Sequence, residues 1–143
     1  MRGLKAGIAY FAIVFAIGIV LGTARTLLLA SFPDVGRFRA VLLEGPLILT
    51  ASWLVCRILV RALAVAGDLR ERAIMGASAF GLLMVAEAAM GMSLAGESFA
   101  AHFALYAEPA YALGLAGQAG FGLMPLFAGD GRRRPPQPTR PVT

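Results

Sequence analysis

RAVLLEGPLILTASWLVCRILV, residues 39 to 60, decides the fold. An arginine opens it, and the run that follows is apolar for at least the roughly 20 residues a helix needs to cross hydrocarbon. Three more runs share this character: Lys5 to Thr23 or somewhat beyond, Ala73 to Ala95, and about Ala104 to Phe127. The whole chain of 143 residues agrees, with 59% hydrophobic and 15% charged residues and a mean hydropathy of +0.76. A soluble domain is about half apolar and a quarter charged. The expected fold class is therefore an all-α membrane protein with four transmembrane helices.

The start, MRGLK before an apolar run, resembles the charged region of a signal peptide. The run is long and no clean A-x-A site follows it, so a retained first helix is expected. Orientation follows from lysine and arginine placement. Arg2, Lys5, Arg57, Arg61, Arg70, Arg72, Arg132, Arg133, Arg134 and Arg140 fall on one side, and only Arg25, Arg37 and Arg39 on the other. This imbalance predicts both termini in the cytoplasm. SFPDVG at 31 to 36, AGDLRER at 66 to 72 and AGES at 95 to 98 supply turn residues between the runs. Connections this short predict antiparallel sequential neighbours, an up-down-up-down four-helix bundle.

After Phe127 the composition shifts to AGDGRRRPPQPTRPVT. Such proline density excludes a helix. Residues 1–128 are read as the transmembrane domain and 129–143 as a disordered basic cytoplasmic tail. Arg132, Arg133 and Arg134 are expected to meet anionic lipid headgroups. The net charge of +5 does not indicate nucleic acid, because the basic residues punctuate apolar runs and form no soluble surface.

Charges inside the runs are the candidate site. With 1.5 Å of rise per residue, Glu44 lies about 8 Å below the outer surface, Glu87 about 12 Å and Glu108 about 6 Å. Three carboxylates on three helices thus share one layer. Arg25 is their natural counter-ion, interfacial if helix one stops at Thr23 and about 9 Å deep if it continues to Ser31. Ionisable groups at such depths usually face the bundle interior and find a partner. Glu108, Tyr111, Leu115 and Gln118 fall on one side of helix four and extend the polar layer. Glu44 and Glu108 each stand near a proline, Pro46 and Pro109, so both also read as helix-start residues facing a positive helix end. Glu87 has no such reading.

Gly18 and Gly22 form a GxxxG pair, and Ala112, Ala116 and Gly120 a row of small residues, both expected to mark close helix contacts in the bundle or in a homodimer. Met84, Met90, Met92 and His102 carry ligand types for soft Cu(I). Met90 and Met92 point about 200° apart on a helix, so methionine packing explains them better. The lone Cys56 and lone His102 exclude an intrachain disulfide, a cysteine-based zinc site and a bis-histidine haem within one chain. No cofactor is expected. No nucleophile–base pair, phosphate loop or metalloprotease motif appears, so an enzyme is not expected.

Gly22, Thr23 and Arg25, then Pro33 and Gly36, then Glu44 and Pro46, together with GLMPL at 122 to 126, resemble a family of small four-span proteobacterial inner-membrane proteins. The family pattern has Gly-Thr-x-Arg ending helix one, a Pro-x-x-Gly turn and Glu-x-Pro opening helix two. The likeness implies the same topology in a bacterial inner membrane and no particular activity. Two functions stay open from sequence. One is an accessory or scaffold subunit of a membrane complex. The other is a proton- or cation-coupled small transporter or channel, working as a homodimer and using the outer-leaflet glutamates.

Overall fold

The computed structural model describes residues 1–32, 34, 36–94, 96 and 98–129. The basic tail, with Arg132, Arg133 and Arg134, and the turn residue Pro33 lie outside them. The order is α1 (Arg2–Ser31), α2 (Arg37–Ala62), α3 (Leu69–Leu94), α4 (Phe99–Ala104), a 3-10 turn (Leu105–Ala107) and α5 (Pro109–Phe127). Among the described residues there is no strand. α1, α2, α3 and α5 are the four helices long and apolar enough to cross a membrane.

The ends of these helices follow local chemistry. α1 runs past Thr23 to Ser31, which settles the choice left open for Arg25 in favour of a position inside the helix. Thr23 and Thr26 donate back to the carbonyls of Ile19 at 2.8 Å and Gly22 at 2.9 Å, so neither hydroxyl needs water to stay in helix. Gly36 enters α2 with φ of 70°, a conformation costly for any residue with a Cβ.

The connection from α2 to α3 is a Schellman turn. Val65 N–H donates to Val60 O at 3.0 Å and Ala64 N–H to Arg61 O at 3.2 Å, the two bonds that close a helix C-terminus. The left-handed position is filled by Ala64, with φ of 53°, where glycine is usual. Asp68 then starts α3, its Oδ1 accepting from Arg70 N–H at 2.9 Å and Glu71 N–H at 3.3 Å.

The last span begins later than the sequence suggests. Ala104 ends the short α4, and α5 starts at Pro109. The residue before a proline avoids helical backbone, and Glu108 has extended backbone with φ −79° and ψ 139°. Pro109 therefore opens the helix and Glu108 stands just outside it.

Chain direction alternates as expected, but the order around the bundle does not follow the sequence. α1 packs on α2 and α3, and α5 packs on α2 and α3. α2 and α3, although consecutive in the chain and joined by the short segment 63–68, lie on a diagonal. α1 consequently runs parallel to α3, with Gly3 against Glu71 and Gly7 against Met75. α2 runs parallel to α5, with Arg37 at Tyr111 and Leu49 at Gly120.

The apolar core fills only half of this bundle. Ala6, Tyr10, Cys56, Val60, Met75, Ala79 and Phe121 are buried, and all lie toward the end that holds Met1 and Phe127. Tyr10 crosses the diagonal there, stacking on Phe121 at 4.3 Å and donating its hydroxyl to Phe121 O at 3.2 Å. Close backbone approach makes the same end tight. A Cβ on Gly76 would strike Gly122 O, and one on Gly7 would strike Ser78 and Met75.

The outward faces are apolar, with Leu43, Leu54, Ile58 and Val85 more than half exposed. In lipid such faces carry no penalty, because the surroundings are as apolar as the side chains.

Candidate functional site

The other half of the bundle holds a half-open cavity of about 620 Å³. It is lined by side chains from α1, α2, α3, α4, the 3-10 turn and α5, and Arg25, Glu44, Glu87, Tyr111 and Gln118 all face it. Arg25 lies six residues from the end of α1, Glu44 seven from the start of α2 and Glu87 seven from the end of α3. At 1.5 Å per residue all three sit about 9–10 Å below that end of the bundle. The shared layer expected of Arg25, Glu44 and Glu87 is thus present.

Arg25 and Glu44 neutralise each other. Nη1 donates to Glu44 Oε2 at 2.7 Å, and the two side chains are 36% and 16% exposed. A bond this short between opposite charges is of the strong, charge-assisted kind. The glutamate lies inside α2 and does not start it, so the helix-start reading fails at this position. Two residues on, Pro46 occupies the helix interior.

Glu87 is held differently. Gln118 Nε2 donates to its Oε2 at 2.6 Å, and among the described residues no cation forms an ion pair with it. Among the described residues the amide oxygen of Gln118 is buried without a partner. An unsatisfied buried acceptor costs about 1–3 kcal/mol, so the amide serves Glu87 at the expense of its own oxygen.

Glu108 does not join the cluster. It is exposed and absent from the cavity wall, because the proline after it holds the residue outside the helix. Its helix-start reading stands, since it is the N-cap position of α5, though its side chain makes no capping bond. Of the stripe Glu108, Tyr111, Leu115 and Gln118, only Tyr111 and Gln118 reach the cavity.

Gly18 and Gly22 do not pack helices together within the chain. They fall within an arc of about 80° that also holds Val14 and Arg25, so they look inward. Yet a Cβ on Gly18 would meet nothing within 4 Å, and one on Gly22 only the guanidinium of Arg25 at 3.8 Å. Close contact is made instead by Gly3, Gly7, Gly76 and Gly122. In the row Ala112, Ala116, Gly120, the alanines are exposed, and a Cβ on Gly120 would meet Leu49 at 3.8 Å.

The structure also adds wall residues. Arg37 donates to the Tyr111 hydroxyl and its guanidinium lies 5.3 Å from the ring centroid of Tyr111, a cation–π distance. His102 and Tyr106 line the cavity from α4 and the turn after it, and Met90 from α3. Met90 and His102 thus share the cavity, whereas Met92 is not on its wall. Burial first, and then the charge of Glu87, push the Tyr106 hydroxyl above the usual phenol range, so it is a hydrogen-bond donor at neutral pH. Among the described residues no group of three His, Cys, Asp or Glu side chains is placed to hold a metal ion.

No family model, curated protein or solved structure matches this chain.

Proposed function

We propose that this chain is a multi-pass protein of the bacterial inner membrane, with both termini cytoplasmic, whose cavity binds a cation or proton at Glu87 as part of a small transporter or channel. The observation that carries this reading is the contrast between two glutamates at one level. Glu44 is neutralised by Arg25 at 2.7 Å, whereas Glu87 is bound by the Gln118 amide, forms no ion pair among the described residues and faces open space. A carboxylate held at depth without a direct ion pair is costly to a membrane protein and marks ion and proton pathways. Four helices are few for a complete pathway, so the working unit is a homodimer.

The test is flux. Purified protein in liposomes is expected to pass protons or monovalent cations, and Glu87→Gln to abolish that flux while circular dichroism and expression stay unchanged. Equal flux in wild type and Glu87→Gln removes the reading.

A second reading, an accessory or scaffold subunit, is favoured by the exposed Ala112 and Ala116 on the outer face of α5, where small side chains admit a neighbouring helix. Extraction in mild detergent would then bring down a partner in fixed stoichiometry. A clean homodimer counts against it.

A further inference from the structure

We infer that the occupant of the cavity is a zwitterion carrying a primary ammonium and an anionic group several bonds apart, an inference that rests on the cation site at Glu87. Among the described residues, two charges on the cavity wall form no ion pair, and they have opposite sign. One is Glu87, bound to Gln118. The other is Arg37, bound to Tyr111. Arg25 and Glu44 are already satisfied by each other.

The two unpaired charges stand at different heights. Gln118 and Tyr111 are seven residues apart on α5, which separates the levels they mark by about 10 Å. Charge-assisted bonds of about 2.8 Å at each end leave roughly 5 Å between the two charges of a bridging ligand. An α-amino acid holds its charges too close together to reach both. A proton or metal ion would satisfy Glu87 and leave Arg37 unanswered. The cavity of about 620 Å³ also has the size of a small-molecule site, roughly 300–1,000 Å³. Arginine at the rim suits a carboxylate or phosphate, because its planar donors match either anion. Its position at the first residue of α2 puts the anionic end at the mouth and the ammonium at depth.

Two sources supply this chemistry: a soluble ω-amino acid such as 4-aminobutanoate, and the phosphoethanolamine headgroup of a phospholipid. In phosphatidylcholine nanodiscs, calorimetric titration compares 4-aminobutanoate and phosphoethanolamine with butylamine. At least one zwitterion is expected to bind about fivefold more tightly than butylamine, the worth of one exposed charge pair. Arg37→Gln is expected to remove that advantage and leave butylamine binding intact, and Glu87→Gln to weaken all three. Arg37→Glu should shift the preference to 1,4-diaminobutane, a gain that a misfolded variant cannot show.

A lipid arm separates the sources. If soluble zwitterions fail but wild type, and not Arg37→Gln, retains phosphatidylethanolamine over phosphatidylcholine by mass spectrometry, the headgroup is the ligand and the inference stands. Without that lipid retention, butylamine binding as tightly as the zwitterions overturns it, and so does a zwitterion or lipid preference unchanged in Arg37→Gln. Glu87-dependent cation flux that persists in that case leaves the cation site standing without the zwitterion. Zwitterion binding without such flux removes the pathway and keeps the ligand.

Discussion

Removing one partner of the Arg25–Glu44 pair should destabilise the bundle more than removing both. The bond is 2.7 Å long, with Glu44 16% and Arg25 36% exposed. Breaking a fully buried pair costs about 3–5 kcal/mol, because one charge is left without compensation. Arg25 is about a third exposed at the half-open cavity, so solvent screens the pair and the figure is discounted here to about 1–2 kcal/mol. Arg25→Met and Glu44→Leu are each expected to lose about that much. The double variant should lie close to wild type, giving a coupling energy of about 2–4 kcal/mol in magnitude. Unfolding in mixed dodecyl maltoside and SDS micelles reads it out through the fluorescence of Trp53, the one tryptophan. A coupling energy below about 0.3 kcal/mol, the range of independent sites, refutes the pairing as a determinant of this end of the bundle.

Other expectations follow from backbone geometry. Gly76→Ala forces a methyl group into Gly122 O and should cost about 1–3 kcal/mol by overpacking, whereas Gly18→Ala, which meets nothing, should stabilise by up to about 1 kcal/mol through helix propensity; the same micelle titration ranks them. Ala64→Gly relieves the left-handed residue of the Schellman turn and should raise stability by roughly 0.5–1 kcal/mol, seen as a higher SDS midpoint. Glu71 accepts from the backbone N–H of Gly3 and from the amino group of Met1, so Glu71→Ala should fray the start of α1, measured as faster amide hydrogen exchange over its first turn.

What the sequence could reveal of the site depended on the type of information each residue carried. Arg25, Glu44 and Glu87 were legible because depth along a spanning helix is a matter of counting, and hydrocarbon makes each such charge conspicuous. Glu108 was misplaced because the count began at Ala104, while the proline at 109 moved the true start of the helix past it. Arg37 was missed as a wall residue. Its signal was weak, since it reaches Tyr111 only because α2 and α5 run side by side in parallel, and short connections suggest sequential, antiparallel neighbours instead. The GxxxG pair misled for a related reason. Small residues state that close approach is permitted, not that a neighbour takes it up, and the diagonal placement of α2 and α3 put the tight crossings at Gly7 and Gly76.

The uneven filling of the bundle has a mechanical result. Its four rods are clamped where Gly7, Gly76 and Gly122 let backbones touch and stand apart where Arg37 and Tyr106 ring the entrance. A pair of tweezers is built this way, gripped at the hinge by backbone contact and held at the tips only by polar side chains, Arg25 to Glu44, Glu87 to Gln118 and Arg37 to Tyr111. For rods of 26 residues, about 39 Å long, a tilt of about three degrees at the hinge moves the tips by roughly 2 Å. Rotations this small would change the aperture without any helix having to bend.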